Sequence, residues 1–188
     1  MWYFAKPLRK LRGRSITKIG DVSPGSYVRL SGTVGGVTDV VAPVSQSPCS
    51  LFELEMREWE NGATYPFSKE RKGEFAVRDE SGAAWIDCSG AAVELRVDEM
   101  GNSLDDEVAD NVTNYVMRLG RTMFDSWGVM RSLEWRERLL APGDHVCIVG
   151  VAEHEAHPDG QPSSYRHSPS RVILRAELIV ERRSCRCS

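Results

Sequence analysis

Two histidines flanked by acids form the most metal-like cluster in the chain. His154 and His157 lie beside Glu153 and Glu155, and imidazole and carboxylate groups both bind zinc. This spacing brings two imidazoles to one face only in a helix, whereas a nearby proline and glycine favour a loop. A set of three or four ligands is not visible nearby. We therefore expect a solvated loop over residues 153–169, with a weak metal site as the alternative, and no cofactor.

Nucleophilic and acid–base chemistry has few candidates. Cys49 lies in a segment rich in proline and serine, but no histidine or acid can be assigned to activate it, and free cysteine is commonly a small buried apolar residue. Asp79, Glu80 and Asp87 bracket a predicted hairpin, where Asp commonly accepts hydrogen bonds from turn N–H groups. We therefore assign no catalytic residue.

An aromatic surface is the remaining candidate site. Trp59, Tyr65, Arg78 and Trp85 could form an interaction surface, since barrels of the OB type bind single-stranded nucleic acid on aromatic platforms in a basic groove. Acids on the neighbouring predicted strand would repel phosphates; they are Glu53, Glu55, Glu58 and Glu60. Core or interface packing is the default expectation for these aromatics, with nucleic-acid binding as the alternative.

The amino terminus is apolar and then basic, although the 188-residue chain has a formal net charge of −3. This order is typical of a membrane-interface segment, although an ordinary surface terminus explains it equally. The possible membrane-contact residues are Trp2, Tyr3, Phe4, Lys6, Arg9 and Lys10. No apolar run approaches the roughly 20 residues that span a bilayer. We expect a membrane-associated chain, peripheral or excised from a membrane protein, with a cytoplasmic location as the alternative.

The elements that would position these residues are mostly strands. A Pro-Gly turn leading into an alternating apolar strand occurs twice, at residues 24–34 and 142–152. Gly32 and Gly150 mark places where a strand bends or another backbone comes close. Alternation predicts further strands at 51–59, 74–79, 83–88, 132–140 and 171–180, with residues 68–73 as a polar connection and 24–97 as a meander. For residues 132–140 a helix is the alternative.

One segment has helical spacing. Ser103 is a candidate cap, and apolar residues recur at helical intervals; they are Val108, Val112, Tyr115, Val116 and Leu119. The predicted fold is mainly β (α+β), with two OB-like or small β-barrel halves and an inserted amphipathic helix. We place a basic segment at 1–18, one composite domain at 19–180 (halves 19–100 and 130–180, helical insert 103–127) and a tail at 181–188.

Several of these segments resemble the GIDE-type domain of the mitochondrial E3 ubiquitin ligase family and its bacterial and archaeal relatives. The matching segments are PGSYVRLSG at 24–32, APVSQSPC at 42–49, FAVRDESG at 75–82, WID at 85–87 and LLAPGDHVCIVG at 139–150. The resemblance covers about residues 15–176 and implies a domain beside a membrane. The family's ligases add a RING, which needs eight Cys or His ligands in close pairs. This chain has one close cysteine pair, Cys185 and Cys187, whose spacing does not suit a RING.

The expected function is therefore a non-catalytic, membrane-proximal binding or regulatory module. A protein partner, a membrane surface or both are expected, and nucleic acid is possible but disfavoured by charge. The alternatives are an OB-type single-stranded nucleic-acid-binding protein, and ubiquitin transfer inherited from the family name without a visible RING.

Overall fold

The protein is mainly β, as predicted. The computed structural model describes residues 15–35, 40–104, 109–156 and 170–181. Within these ranges a single 3₁₀ turn (Ile19–Asp21) and one α-helix, α1 (Ala109–Arg118), accompany twelve strands. The strands are β1 (Tyr27–Gly35), β2 (Val40–Val41), β3 (Pro48–Cys49), β4 (Leu51–Glu60), β5 (Ala63–Gly73), β6 (Phe75–Asp79), β7 (Gly82–Asp87), β8 (Ala92–Glu94), β9 (Glu99–Asn102), β10 (Ser132–Leu140), β11 (His145–Ala156) and β12 (Ser170–Glu181).

The chain divides into two compact units that alternate along the sequence. The described part of unit 1 comprises residues 15–35, 74–95, 142–156 and 170–181, and that of unit 2 comprises 40–73, 96–104 and 109–141. The domain boundaries expected from the sequence stay a prediction.

Unit 1 is built on a six-stranded sheet in the order β11-β1-β6-β7-β12-β8. Strand β12 also pairs with β11, so five strands form a closed ring of hydrogen-bonded neighbours. The pairing of β7 with β12 is parallel, whereas β6 and β7 form the predicted antiparallel hairpin. The assignment of two OB-like halves stays a prediction.

The two Pro-Gly strands of unit 1 are direct partners. β1 and β11 pair antiparallel from Tyr27 opposite Val151 to Thr33 opposite His145. Each turn also bonds the other strand near an end of their ladder, because the N–H of Gly25 donates to the Ala152 carbonyl and the N–H of Gly143 donates to the Val34 carbonyl, at 2.8 and 2.9 Å. Both turn glycines have positive φ, 75° and 94°, as the turn chemistry predicts.

Close backbone approach at the strand glycines is confirmed. A Cβ built on Gly32 would lie 2.4 Å from the Arg78 carbonyl oxygen, and one on Gly150 would lie 2.2 Å from the Arg175 carbonyl oxygen. Gly150 also adjoins a register shift between β11 and β12. Both positions therefore exclude any side chain unless the neighbouring strand moves.

Unit 2 contains a four-stranded sheet in the order β5-β4-β10-β9 and the small β2–β3 ladder. The predicted alternation of β4 is confirmed, since Phe52, Leu54 and Met56 are buried in one apolar cluster. Helix α1 contributes Val112, Tyr115 and Val116 to this cluster, as its helical spacing predicts. The remaining members are Ala42, Val44, Cys49, Phe67, Met123, Leu133 and Trp135.

Three local predictions need correction. The polar stretch 68–73 is part of strand β5, and residues 24–97 are not a meander, since β4 and β5 form a sheet separate from β1 and β6. Residues 153–156 continue strand β11 rather than beginning a loop. Ser103 accepts a hydrogen bond from the Leu133 N–H and donates one to the Arg131 carbonyl, both 2.9 Å. Residues 105–108, which it would cap, lie outside the described residues, so its role as a helix cap stays a prediction.

Candidate functional site

The two predicted aromatics of unit 2 do not form one stacking platform. Trp59 lies opposite Thr64, and Tyr65 lies opposite Glu58, across the β4–β5 pair. Because neighbouring residues of a strand point to opposite faces and paired residues share one, Trp59 and Tyr65 project from opposite faces of the sheet. About half of each side chain is exposed.

The acids near these aromatics are paired with basic groups. Glu53 is 3% exposed, and its carboxylate lies 2.6 Å from Arg71 and 3.3 Å from Arg138. Glu55 accepts a 2.9 Å hydrogen bond from Arg57. The repulsion of phosphates expected from these two acids is therefore largely compensated within the sheet.

In unit 1, Arg78 and Trp85 lie on one face of the sheet. Arg78 is opposite Ala83 and Trp85 is opposite Ala76, so the two side chains are diagonal neighbours on that face. The Arg171 guanidinium lies 5.8 Å from the Trp85 ring centroid and also pairs with Glu155 at 2.7 Å. The face thus combines an aromatic ring and cations with a nearby acid.

The remaining predicted positions are only partly covered by the structure. His154 is exposed on β11 opposite Val172, while His157 lies outside the described residues. The possible membrane contacts, Trp2, Tyr3, Phe4, Lys6, Arg9 and Lys10, also lie outside them. Among the described residues, His, Cys, Asp and Glu side chains form no group of three or more that could hold a metal ion.

The carboxylates around the β6–β7 hairpin organise backbone turns. Asp79 accepts hydrogen bonds from the N–H groups of Ser81 and Gly82, at 2.7 and 3.0 Å, and from that of Ile19 at 2.9 Å. Burial acts to raise the pKa of Asp79, but hydrogen bonds from Ser81 and these N–H groups outweigh it, so the pKa is lowered. Asp87 bonds the Ser89 hydroxyl and N–H, which lower its pKa.

Cys49 has the environment of a packing residue. Its side chain is 1% exposed within the core of unit 2, and its thiol donates to the Val40 carbonyl at 3.6 Å. Burial, followed by the negative charge of Glu137, raises the pKa of the Cys49 thiol to about 11. The thiolate required of a nucleophile is therefore scarce at neutral pH.

A buried carboxylate holds the loop that precedes Cys49. Glu137 is fully buried on β10, and its two oxygens accept hydrogen bonds from the N–H groups of Val44 and Ser45, at 2.9 and 2.8 Å. Asn111 of α1 donates to the Val44 carbonyl at 2.8 Å. Strand β10 and helix α1 thereby fix residues 42–47. We call Glu137 and Asn111, with the backbone groups of Val44 and Ser45 that they bind, the loop clamp.

A pocket of about 320 Å³ lies between this loop and α1. Two of its polar lining residues bond their own surroundings: Gln46 donates to the Pro43 carbonyl at 2.7 Å, and Arg118 donates to Glu70 at 3.2 Å. Burial raises the pKa of Tyr115, which lines the pocket floor from α1. The pocket is lined by Val41, Ala42, Pro43, Gln46, Asn111, Asn114, Tyr115 and Arg118.

After α1, residues 123–131 form a short hairpin with apolar side chains at its tip; we call it the tip hairpin. Phe124 and Met130 form an isolated antiparallel bridge, and the Arg131 N–H donates to the Met123 carbonyl at 2.8 Å. The Asp125 carboxylate accepts hydrogen bonds from the N–H groups two and four residues ahead, at 2.8 and 2.9 Å. Trp127 at the turn is 88% exposed.

The tip hairpin, together with Glu137 and Asn111 of the loop clamp, lies within a segment that matches a known family. The model of the GIDE family, described as E3 Ubiquitin ligase, matches residues 52–167, more than half of the 188-residue chain. The chain belongs to the GIDE family. No curated protein matches it.

The GIDE match extends from β4 to the end of β11 and beyond, so it covers α1, Glu137 and the tip hairpin. Among the described residues, no helix of this GIDE domain is long and apolar enough to cross a membrane. Sequence reasoning missed the loop clamp and the tip hairpin. Glu137 lies on β10 where the alternation of Leu133, Trp135 and Leu139 predicts an apolar residue. An acid at such a position is the signal by which its buried role could have been found.

Proposed function

We propose that this GIDE domain is a non-catalytic binding or regulatory module that works beside a membrane. The observation that carries the proposal is how the chain uses its reactive groups. Glu137 and Asp79 hold backbone N–H groups, the pKa of Cys49 is raised to about 11, and large apolar side chains stand exposed instead. Carboxylates and thiols in such positions stabilise loops, whereas exposed apolar groups favour association.

Flotation of the full chain with lipid vesicles tests the membrane part of the proposal. At low salt we expect the chain to float with vesicles of phosphatidylcholine and phosphatidylserine. Replacing Lys6, Arg9 and Lys10 together by Gln should weaken flotation, because each basic residue near an anionic surface contributes about 1 kcal/mol. A wild-type chain that stays in solution at low salt contradicts the membrane role.

An in vitro conjugation assay tests the non-catalytic part. With ubiquitin, activating and conjugating enzymes and ATP, but no RING protein, the purified chain should give no chains above the background without it. Ubiquitin chains that depend on the added domain would contradict the proposal.

Binding of single-stranded nucleic acid is the second candidate, favoured by the face that carries Arg78, Trp85 and Arg171. Stacking on an aromatic ring beside cations is the usual mode of such binding, and the acids Glu53 and Glu55 of unit 2 are internally paired. A salt titration with labelled oligonucleotides tests it. Affinity that falls steeply with salt supports this function, and no binding at low salt removes it.

A further inference from the structure

The tip hairpin leaves several large apolar side chains exposed to solvent. Within seven positions it carries four exposed large apolar side chains; they are Phe124, Trp127, Val129 and Met130. Single exposed apolar residues are ordinary on protein surfaces, but a group of them marks a contact site. Each leaves apolar area in water that burial elsewhere would stabilise at roughly 25 cal/mol per Å².

The hairpin is held in shape by its own hydrogen bonds. Besides the two bonds to its carboxylate, Asp125 donates its N–H to the Val129 carbonyl at 2.9 Å and accepts the Gly128 N–H at 3.2 Å. Gly128 has a positive φ of 77°, which suits glycine at a tight turn. An element fixed in this way loses little conformational entropy on association.

The apolar side chains cover the hairpin on both sides. Phe124 and Met130 are bridge partners and share one face, whereas Val129 is opposite Asp125 and alternates to the other. Trp127 extends from the turn between them. A groove on another protein would have to enclose both faces, while a lipid surface accepts such an element tip first.

One of the two cations at the base of the hairpin, Arg121, complements an anionic surface, whereas the other, Arg131, pairs with Glu58. Arg121 donates to the Phe67 carbonyl at 2.6 Å and lies 4.6 Å from the Phe67 ring centroid. Among the described residues no acid forms an ion pair with it. At the tip, the charge of Asp125 is engaged by backbone N–H groups.

We propose that the tip hairpin inserts into the headgroup region of an anionic bilayer, with Trp127 leading and Arg121 at the level of the lipid phosphates. Tryptophan suits this position because its ring is apolar and its N–H can remain hydrated. The proposal rests on the membrane role proposed above and names a contact distinct from residues 1–18.

Vesicle partitioning of the full chain tests this contact. Trp127→Ser should lower the partition coefficient into phosphatidylcholine–phosphatidylserine vesicles about tenfold or more, since a buried tryptophan contributes a large apolar area. Trp59→Ser, at another exposed tryptophan of unit 2 (49% exposed), is the matched control and should change partitioning little. Urea unfolding of both variants confirms that each is folded.

The charge arm uses Arg121→Gln. It should weaken binding to anionic vesicles about fivefold and leave binding to pure phosphatidylcholine unchanged. Lys72→Gln, which makes the same charge change at an exposed position of β5, should have a smaller effect. Equal effects of the two changes would contradict the role of Arg121.

Fluorescence quenching by brominated lipids gives a readout that does not depend on affinity. The wild-type chain should lose part of its tryptophan emission on vesicles, and Trp127→Phe should remove most of that loss while keeping binding. Trp2→Phe is the parallel control for the amino terminus. Unchanged quenching in Trp127→Phe would overturn the proposal.

The outcomes separate this inference from the proposed function. If the wild-type chain does not bind vesicles, the membrane role itself fails. If the chain binds but Trp127→Ser binds equally well, the tip hairpin is not the contact and the membrane role stands. A dimer that Trp127→Ser converts to monomer in light scattering, with unchanged partitioning, assigns the hairpin to self-association and overturns the lipid proposal.

Discussion

Replacement of Glu137 by Gln is the sharpest test of the loop clamp. The carboxylate is fully buried and accepts two backbone hydrogen bonds. An amide keeps one acceptor oxygen and presents N–H donors to the other backbone N–H, so one charge-assisted bond, worth about 1.5–3 kcal/mol, is lost. The neutral amide is easier to bury, which offsets part of the loss. We expect the free energy of unfolding to fall by about 2 kcal/mol.

Urea unfolding followed by circular dichroism measures this loss. With a typical slope of about 2 kcal/mol per molar urea, the midpoint should fall by about 1 M. Glu134→Gln is the matched control, since Glu134 lies on the same strand but is exposed, and its midpoint should stay within about 0.25 M of wild type. Equal midpoints for the two variants would refute the clamp.

The same substitution should also change Cys49. The negative charge of Glu137 adds to burial in raising the pKa of this thiol. In a background with the other four cysteines replaced by Ser, Glu137→Gln should shift the pH dependence of Cys49 alkylation to lower pH. A loss of stability without this shift would contradict the effect of Glu137 on the thiol.

Three further predictions concern unit 1. Gly150→Ala should lower the free energy of unfolding by more than about 2 kcal/mol, because its Cβ would lie 2.2 Å from a backbone oxygen; Gly35→Ala, which meets only the Arg78 side chain at 3.3 Å, is the control in the same urea titration. Because the pKa of Asp79 is lowered, its contribution to stability is present above the unfolded pKa of about 4 and is lost as pH falls through the folded value. Asp79→Asn should therefore melt lower at pH 7 and lose less of its melting temperature than wild type on acidification; parallel curves would contradict this. Metal analysis of the tag-free chain should find no stoichiometric zinc, whereas one zinc per chain that His154→Ala removes would establish the alternative site.

Local patterns in the sequence predicted much of the fold. The alternation of β4, the helical spacing of Val112, Tyr115 and Val116, and the Pro-Gly turns each depend on residues close together in the chain, and the structure has all three. Strand β5 was missed because charged side chains occupy its strand positions. Lys69 and Arg71 lie opposite Glu55 and Glu53, so their role is visible only when the partner strand is known.

The candidate site was less predictable for a related reason. Burying an acid such as Glu137 is tolerated only when its carboxylate oxygens accept hydrogen bonds. The N–H groups that donate them belong to a loop about 90 residues earlier in the chain. Whether Trp127 is exposed likewise depends on which distant parts of the chain pack against it. Patterns of residue type give the period of an element but not its distant neighbours, so sequence reasoning placed aromatics on strands and missed the tip hairpin.

The pairing of the two Pro-Gly strands has a consequence for the order in which the protein forms. Thr33 and His145, at one end of the β1–β11 ladder, are 112 positions apart, so β1 emerges from the ribosome long before its partner is synthesised. The sheet of unit 2 needs nothing beyond Leu140. During synthesis, unit 2 is therefore able to fold before β11 is made. Until then the edge of β1 that pairs with β11 is unpaired, and an unpaired strand edge favours aggregation. Chains stalled before residue 145 should consequently expose β1 to chaperones, and release of the full chain should end that exposure.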